Sequence, residues 1–197
     1  MSKTKIISLV MLVVWIALAG FLIYSIKSSI DEKERIASAE NLIRDQLMMI
    51  REAEVAYLAV NGQYTSDWDK LLNFIDSGSF FLTEKSETII TLPYGKDSVV
   101  VDIDTLGMIP VKDSLFTAKK WPKFSLKTLA YVPGVEPATK FDIWADKITK
   151  AGVLVNVIEV KNPKPINPNR DEDSDYNTRK PLRFGSRTSV TTAGNWE

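Results

Sequence analysis

Three groups of residues have the types and spacing for chemistry. Asp171, Asp173 and Asp175 stand at alternate positions of one acidic run. Calcium takes many oxygen ligands, and helix-flanked calcium loops supply them from alternate positions in this way. Such loops also need a glycine at the sharp turn and a bidentate acid at the end. Tyr176 and Leu182 hold those places here. A solvated acidic loop is therefore expected, and no metal is assigned. Asp102 and Asp104 form the second group, on one face of a predicted strand and opposite Val99, Val101 and Ile103. Paired carboxylates can do acid–base work, but period-two alternation reads them as the wet face of a sheet. The third group is Lys119, Lys120, Trp121, Pro122 and Lys123, basic and aromatic together. It has the chemistry to meet phosphate, a lipid headgroup or a glycan, and reads first as a polar loop. No glycine-rich phosphate loop accompanies it.

Composition narrows the chemistry further. The 197 residues include no cysteine and no histidine. Disulfides, thiolate metal sites, Ser-His-Asp and Cys-His catalysis and the usual zinc sites are excluded. Carboxylate or Ser-Lys chemistry remains open, with few general-base types left. The expectation is a protein that is not an enzyme, with no catalytic, metal or cofactor-binding residue and no cofactor. Twenty-five basic residues balance 25 acidic ones, so a broad attraction to nucleic acid is not indicated.

The elements that must carry these residues begin with an apolar run. Residues 6–26 contain no charge. As a helix they cover roughly 30 Å, the thickness of a bilayer core. Lys3 and Lys5 precede the run, and Ala17-Leu18-Ala19 fits a signal-peptidase site. Phe21, Leu22, Ile23 and Ile26 extend the run past that point, which favours an uncleaved anchor. Basic residues flank both ends, so their count does not set the orientation. A five-residue head left in the cytoplasm and a translocated domain are adopted as the reading.

Residues 28–60 contain neither proline nor glycine. Ile36, Ile43, Ile50 and Tyr57 repeat every seven residues, while Glu40 and Glu54 interrupt the complementary positions around Leu47. The result is a partial heptad, whose apolar stripe widens from Leu47 and is expected to enter a globular core there. Asn61-Gly62 should end the helix, since both residues tolerate the left-handed conformation of a helix stop. Ser66 with Asp69 then reads as a loose capping box, Thr65 being the rival cap. A short helix carrying Trp68, Leu71, Leu72 and Ile75 follows and stops at Asp76-Ser77-Gly78. Tyr57, Tyr64, Trp68 and Leu72 read as core.

A membrane helix that runs on into an amphipathic one, reaches Tyr57, Asn61, Gly62, Tyr64 and Leu71, and gives way to β-structure resembles type IV pilins and type II secretion pseudopilins over residues 6–76. The resemblance implies a domain built on a membrane-rooted helix. The processing motif is absent: Gly20-Phe21 is the one Gly-Phe near the N-terminus, Ser25 stands at the glutamate position, and most apolar residues precede that point. The segment IREAEVAYLAVNGQYTSDWDKLLNFI and the terminal GNWE are also similar to uncharacterised single-pass envelope proteins of Bacteroidetes-type bacteria. That similarity implies an envelope location and supplies no established activity.

Short apolar runs follow. Residues 88–92 and 98–104 flank a Pro-Tyr-Gly turn and predict a hairpin. Residues 108–116 read as a further strand and 126–132 as extended. Residues 140–145 and 153–160, parted by Ala151-Gly152, predict two more strands. Residues 161–181 are rich in proline and acid and read as a loop or disordered linker. Leu182 and Phe184 share one face of a closing segment whose Trp196 suits an anchor.

The fold expected is α+β: an N-terminal transmembrane helix continues into a long amphipathic helix, packed on a mostly antiparallel sheet, with a flexible C-terminal tail. The divisions are a cytoplasmic head (1–5), the transmembrane helix (6–26), a stalk (27–60), an extracytoplasmic domain (61–160), the linker (161–181) and a docking segment or tail (182–197). The function expected is a structural or assembly subunit of a bacterial envelope machine, in the inner membrane with its domain in the periplasm. Its expected partners are inner-membrane lipid and other envelope proteins, a homo-oligomer through the transmembrane and stalk helices among them, and no nucleic acid. The alternative is an extracytoplasmic ligand- or glycan-binding module, with Trp121, Trp144 and Tyr131 as pocket aromatics.

Overall fold

The structure is a computed structural model, and it describes residues 3–91, 97–170, 176 and 179–197. Helix α1 (Lys3–Asn61) is unbroken over 59 residues. At 1.5 Å per residue it is about 88 Å long. Apolar anchor and stalk are thus one helix with no linker between them. Its only internal glycine is Gly20, and it holds no proline, so nothing interrupts the hydrogen-bond ladder.

The distal third of α1 builds the domain. Ile43, Gln46, Leu47, Ile50, Ala53 and Glu54 are buried, at the three- and four-residue steps that mark one helix face. The stripe enters the core at Ile43, one turn earlier than the sequence pattern suggests. Val55 and Val60 remain exposed, because they lie off that face.

Gly62 adopts φ +72°, and its N–H donates to the Leu58 carbonyl at 2.8 Å. The Asn61 side-chain amide caps the Tyr57 carbonyl. The helix ends where the sequence indicates. Helix α2 (Trp68–Ser77) is capped by Asp67, whose carboxylate accepts the Asp69 N–H at 2.9 Å. Ser66, the expected cap, does not serve. The Thr65 hydroxyl accepts the Asp67 N–H, and that tight turn moves the start of the helix on by one residue. Trp68, Leu71 and Ile75 face the core, and the Trp68 indole donates to the Phe141 carbonyl.

Strands β1 (Ser79–Thr91) and β2 (Asp97–Pro110) pair antiparallel as a two-stranded ribbon, with a register shift at Leu82/Thr83. The predicted hairpin is real but longer at its root than the turn signals suggested. Residues 108–116, read as a strand, divide: Met108–Pro110 complete β2, and helix α3 (Val111–Leu115) follows. Pro110 accounts for the break, because it cannot donate to a strand ladder and suits a helix start. Residues 126–132 form turns, and Tyr131 alone bridges Lys140.

The second sheet has three strands in the order β3 (Asp142–Lys150), β4 (Val153–Lys161), β5 (Arg183–Gly185), all antiparallel. Ala151 and Gly152 both take positive φ, 51° and 80°, the two-residue turn that matches strand twist. The expected single sheet is therefore two. Only the three-stranded one contributes to the core, through Ile158, Val160 and Phe184.

Of the two readings for residues 182–197, the docking segment is the one realised. Gly185 donates to Ala193, Asn195 donates to Arg183, and Gly194 bridges Phe184. Gly185 sits at φ +80°, where an added Cβ would lie 2.0 Å from the Ile158 carbonyl oxygen. Trp196 packs against the core. In the preceding linker, Asn162 is buried and Arg170 pairs with Glu40 at 2.6 Å. Its described part is thus tied to α1, although its composition suggested a loose loop.

One side chain joins the turn-rich segment to α1. The Gln46 amide nitrogen lies 2.6, 2.9 and 2.8 Å from the carbonyls of Thr128, Leu129 and Tyr131. Its two protons serve three acceptors, so one is shared. Gln46→Leu keeps the bulk and removes the donor from the Leu129 and Tyr131 carbonyls, while Thr128 keeps the Tyr131 N–H. It should destabilise the domain by about 1–3 kcal/mol, read as a lower midpoint in denaturant-induced loss of tryptophan fluorescence.

Candidate functional site

The corner between α1 and α2 holds a buried acid. Glu54 occupies the core stripe of α1 and is fully buried. One carboxyl oxygen accepts the Thr65 N–H at 3.1 Å. The other has no hydrogen-bond partner among the described residues. Burial pushes its pKa up to about 8, against the lowering effect of the Thr65 hydrogen bond. At neutral pH the side chain is therefore mainly a neutral acid. The neighbouring Tyr64 hydroxyl is also shifted upward, first by burial and then by the Glu54 charge. A relay of hydrogen bonds runs from Glu54 to Thr65, from Thr65 to Asp67 and from Asp67 to Asp69. Glu54 thus fastens the corner and the start of α2. Its signal in the sequence was its place among apolar residues at helical spacing, where it looked like a break in the heptad.

Open clefts flank α1, and two of them carry residues of interest. One, of about 550 Å³, lies between Arg51, Tyr64, Asn156 and the C-terminal segment. Glu197 reaches across to Arg51 at 2.6 Å. The other, of about 380 Å³, is lined by Leu42, Met49, Trp121, Pro122, Lys123 and Phe124. The basic-aromatic group thus borders a cleft, but two members are committed inside the protein. Lys120 pairs with Glu52 at 2.7 Å, and the Trp121 indole donates to the same carboxylate.

The proposed pocket aromatics do not converge. Tyr131 lies under the Lys140 ammonium at 5.7 Å, and Trp144 under the Arg187 guanidinium at 5.3 Å. Each covers a cation of its own instead of sharing the Trp121 cleft. Arg187 and Arg183 both pair with the buried Glu159, which satisfies a charge that would otherwise be costly. Asp171, Asp173 and Asp175 lie outside the described residues. Asp102 and Asp104 are exposed on the two-stranded ribbon. They share a face with Glu84, which stands directly opposite Asp104.

Beyond the membrane segment, that ribbon leaves apolar side chains open to solvent. Register places Phe81 opposite Met108, Lys85 opposite Ile103, Glu87 opposite Val101 and Ile89 opposite Val99. These pairs share the face away from the acids. Its six apolar side chains are 45–67% exposed. A two-stranded hairpin with an open apolar face is marginal alone, and contiguous apolar patches of this kind mark interaction sites. Sequence reading placed Val99, Val101 and Ile103 on the dry face of a sheet. The alternation holds, but no described residue covers that face.

The described side chains of the N-terminal part of α1, from Ile7 to Ile26, are mostly apolar and all exposed. It is the one helix among the described residues long and apolar enough to cross a membrane. Fold and surface together define an α+β protein whose core is built on the distal end of a single candidate membrane-spanning helix. Comparison with protein-family models, with curated proteins and with solved structures returns no match.

The raised Glu54 pKa has a defined sign. Between its ordinary value of 4.5 and about 8, the folded protein holds a proton that the unfolded chain releases. Stability is full below about pH 4.5 and is lost as pH rises through about 8. Unfolding free energy of the wild type should therefore fall from pH 5 to pH 9. Glu54→Gln keeps the acceptor for Thr65 and removes the charge, so its profile should be flatter over that window. Parallel profiles from denaturant titrations at each pH would refute the assignment.

Proposed function

We propose that the chain is a membrane-anchored structural or assembly subunit of a bacterial envelope machine, pseudopilin-like or secretion-apparatus-like in plan. It acts through protein–protein contacts, and it is not an enzyme. Residues 6–26 sit in the inner membrane, and the domain stands in the periplasm. The observation that supports this reading is uncovered apolar surface in two places. One is the membrane-length part of α1. The other is the bare face of the β1–β2 ribbon, rooted at the distal end of that helix. A subunit that works by packing needs such surfaces, and a rigid α1 sets their separation from the bilayer. A glycan- or ligand-binding module, the second reading, rests on the Trp121 cleft. The other expected aromatics lie outside that cleft.

Two measurements test the proposal. Crosslinking in cells, followed by purification in mild detergent, should recover the chain in a complex. A protein that is monomeric and partner-free under those conditions would sink the structural reading. Topology is tested with single cysteines in this cysteine-free chain, at Ser2 and at the exposed Ser125. An impermeant thiol reagent should label Ser125→Cys and spare Ser2→Cys in intact spheroplasts. The reverse pattern overturns the orientation.

A further inference from the structure

The two faces of the β1–β2 ribbon differ in what they can meet. On one, Glu84 stands opposite Asp104, and Asp102 lies two residues from Asp104 on the same side. Like charges directly opposite one another on a sheet repel, and two such faces would repel each other. The other face carries Phe81, Ile89, Val99, Val101, Ile103 and Met108, all exposed. Among its described side chains the charged ones are Lys85 and Glu87, opposite in sign and two residues apart, and they pair with each other within the chain; Asp97, opposite Thr91, shares the register of this face at its far end. This face is mainly apolar, and its middle is marked by one positive and one negative group.

The middle of this face is complementary to itself. Turn a second copy end for end about an axis across the strands, level with Ser86. Lys85 then meets the second copy's Glu87, and Glu87 meets its Lys85. By the same rotation Val101 meets the second copy's Ile103. A two-fold interface needs this kind of reciprocity. The area is also sufficient. Six apolar side chains at this exposure offer roughly 600 Å², about 1,200 Å² over two copies, the lower end of a specific interface. Anchoring in one bilayer raises the effective concentration of copies further.

We infer that the apolar face of the β1–β2 ribbon is a self-association surface, which packs against the same face of a second copy of this chain. The occupant is another copy because the central Lys85 and Glu87 match their own reversal, whereas a uniformly acidic or basic partner would leave Lys85 or Glu87 opposed. The acidic face limits the assembly to a closed pair, since ribbons cannot stack on it. This inference rests on the structural-subunit reading and names one partner for it.

The test uses the full chain in lipid vesicles, labelled through Ser2→Cys with a donor or an acceptor fluorophore. Energy transfer between copies should be present in the wild type and titrate with protein-to-lipid ratio. Lys85→Glu and Glu87→Lys each place like charges across the interface, and each should weaken self-association about tenfold or more. A mixture of these two variants restores opposite charges, so transfer should return between them. Val101→Asp with Ile103→Asp should abolish it. All these positions are exposed, and unchanged circular dichroism would establish folding. Absence of transfer in the wild type would overturn the inference. Transfer equal in the wild type and all variants would overturn it too, by placing the contact in the anchor or stalk. The structural-subunit reading would survive either result wherever crosslinking in cells still recovers a complex.

Discussion

One helix face organises the molecule. Ile43, Leu47, Ile50 and Ala53 are almost wholly excluded from solvent, and four separate pieces of chain converge on them. Helix α2 brings Leu71 and Ile75, the turn-rich segment brings Leu129 and Val132, β4 brings Ile158 and Val160, and the closing segment brings Leu182 and Phe184. None of these pieces is long enough to hold its shape alone. Each gains order by covering the same stripe. Because α1 is continuous, the stripe stays rigidly attached to the segment suited to a bilayer. The domain is less a body on a tether than a coat around one end of a rod.

Two polar side chains inside the coat make it specific. Gln46 and Glu54 interrupt the stripe, and each reaches backbone groups of a segment that has little regular structure. An apolar residue in either place would pack, but would take a hydrogen-bond partner from the Leu129 and Tyr131 carbonyls or from the Thr65 N–H. Glu54 pays for its position by holding a proton at neutral pH. The neutral acid can accept from Thr65 without the full penalty of a buried charge. The corner is thus held by a polar contact, and Gly62 only makes the turn sterically feasible.

The β1–β2 ribbon follows another logic. Its strands are long, and its root meets the rest of the domain through Phe80 against Phe74, while just beyond it the Val111 N–H donates to the Gly78 carbonyl. A single protein that buried all of its apolar surface would fold this ribbon onto the core. Leaving it open keeps an apolar face available beyond the fold, and the charged groups on each side restrict what can cover it.

Much of the plan was legible before any coordinates. The absence of cysteine and histidine settled which reactions were out of reach, because those are properties of residue type. The α+β class, the membrane-length run, the stop at Asn61-Gly62 and the strands around Ala151-Gly152 were readable from period and turn chemistry. Those signals are local, since a helix or turn is decided by neighbours within a few residues. Other features depended on contacts between distant parts of the chain. The cap moved from Ser66 to Asp67 because Thr65 turned toward a buried Glu54. The described part of the acidic linker and the closing segment docked because Glu40, Arg51 and the β4 edge were in reach. Alternation along β2 could say which side chains share a face, but only the tertiary structure decided that this face would have no cover. Burial is a property of what lies opposite, and nothing in a strand's own sequence specifies that.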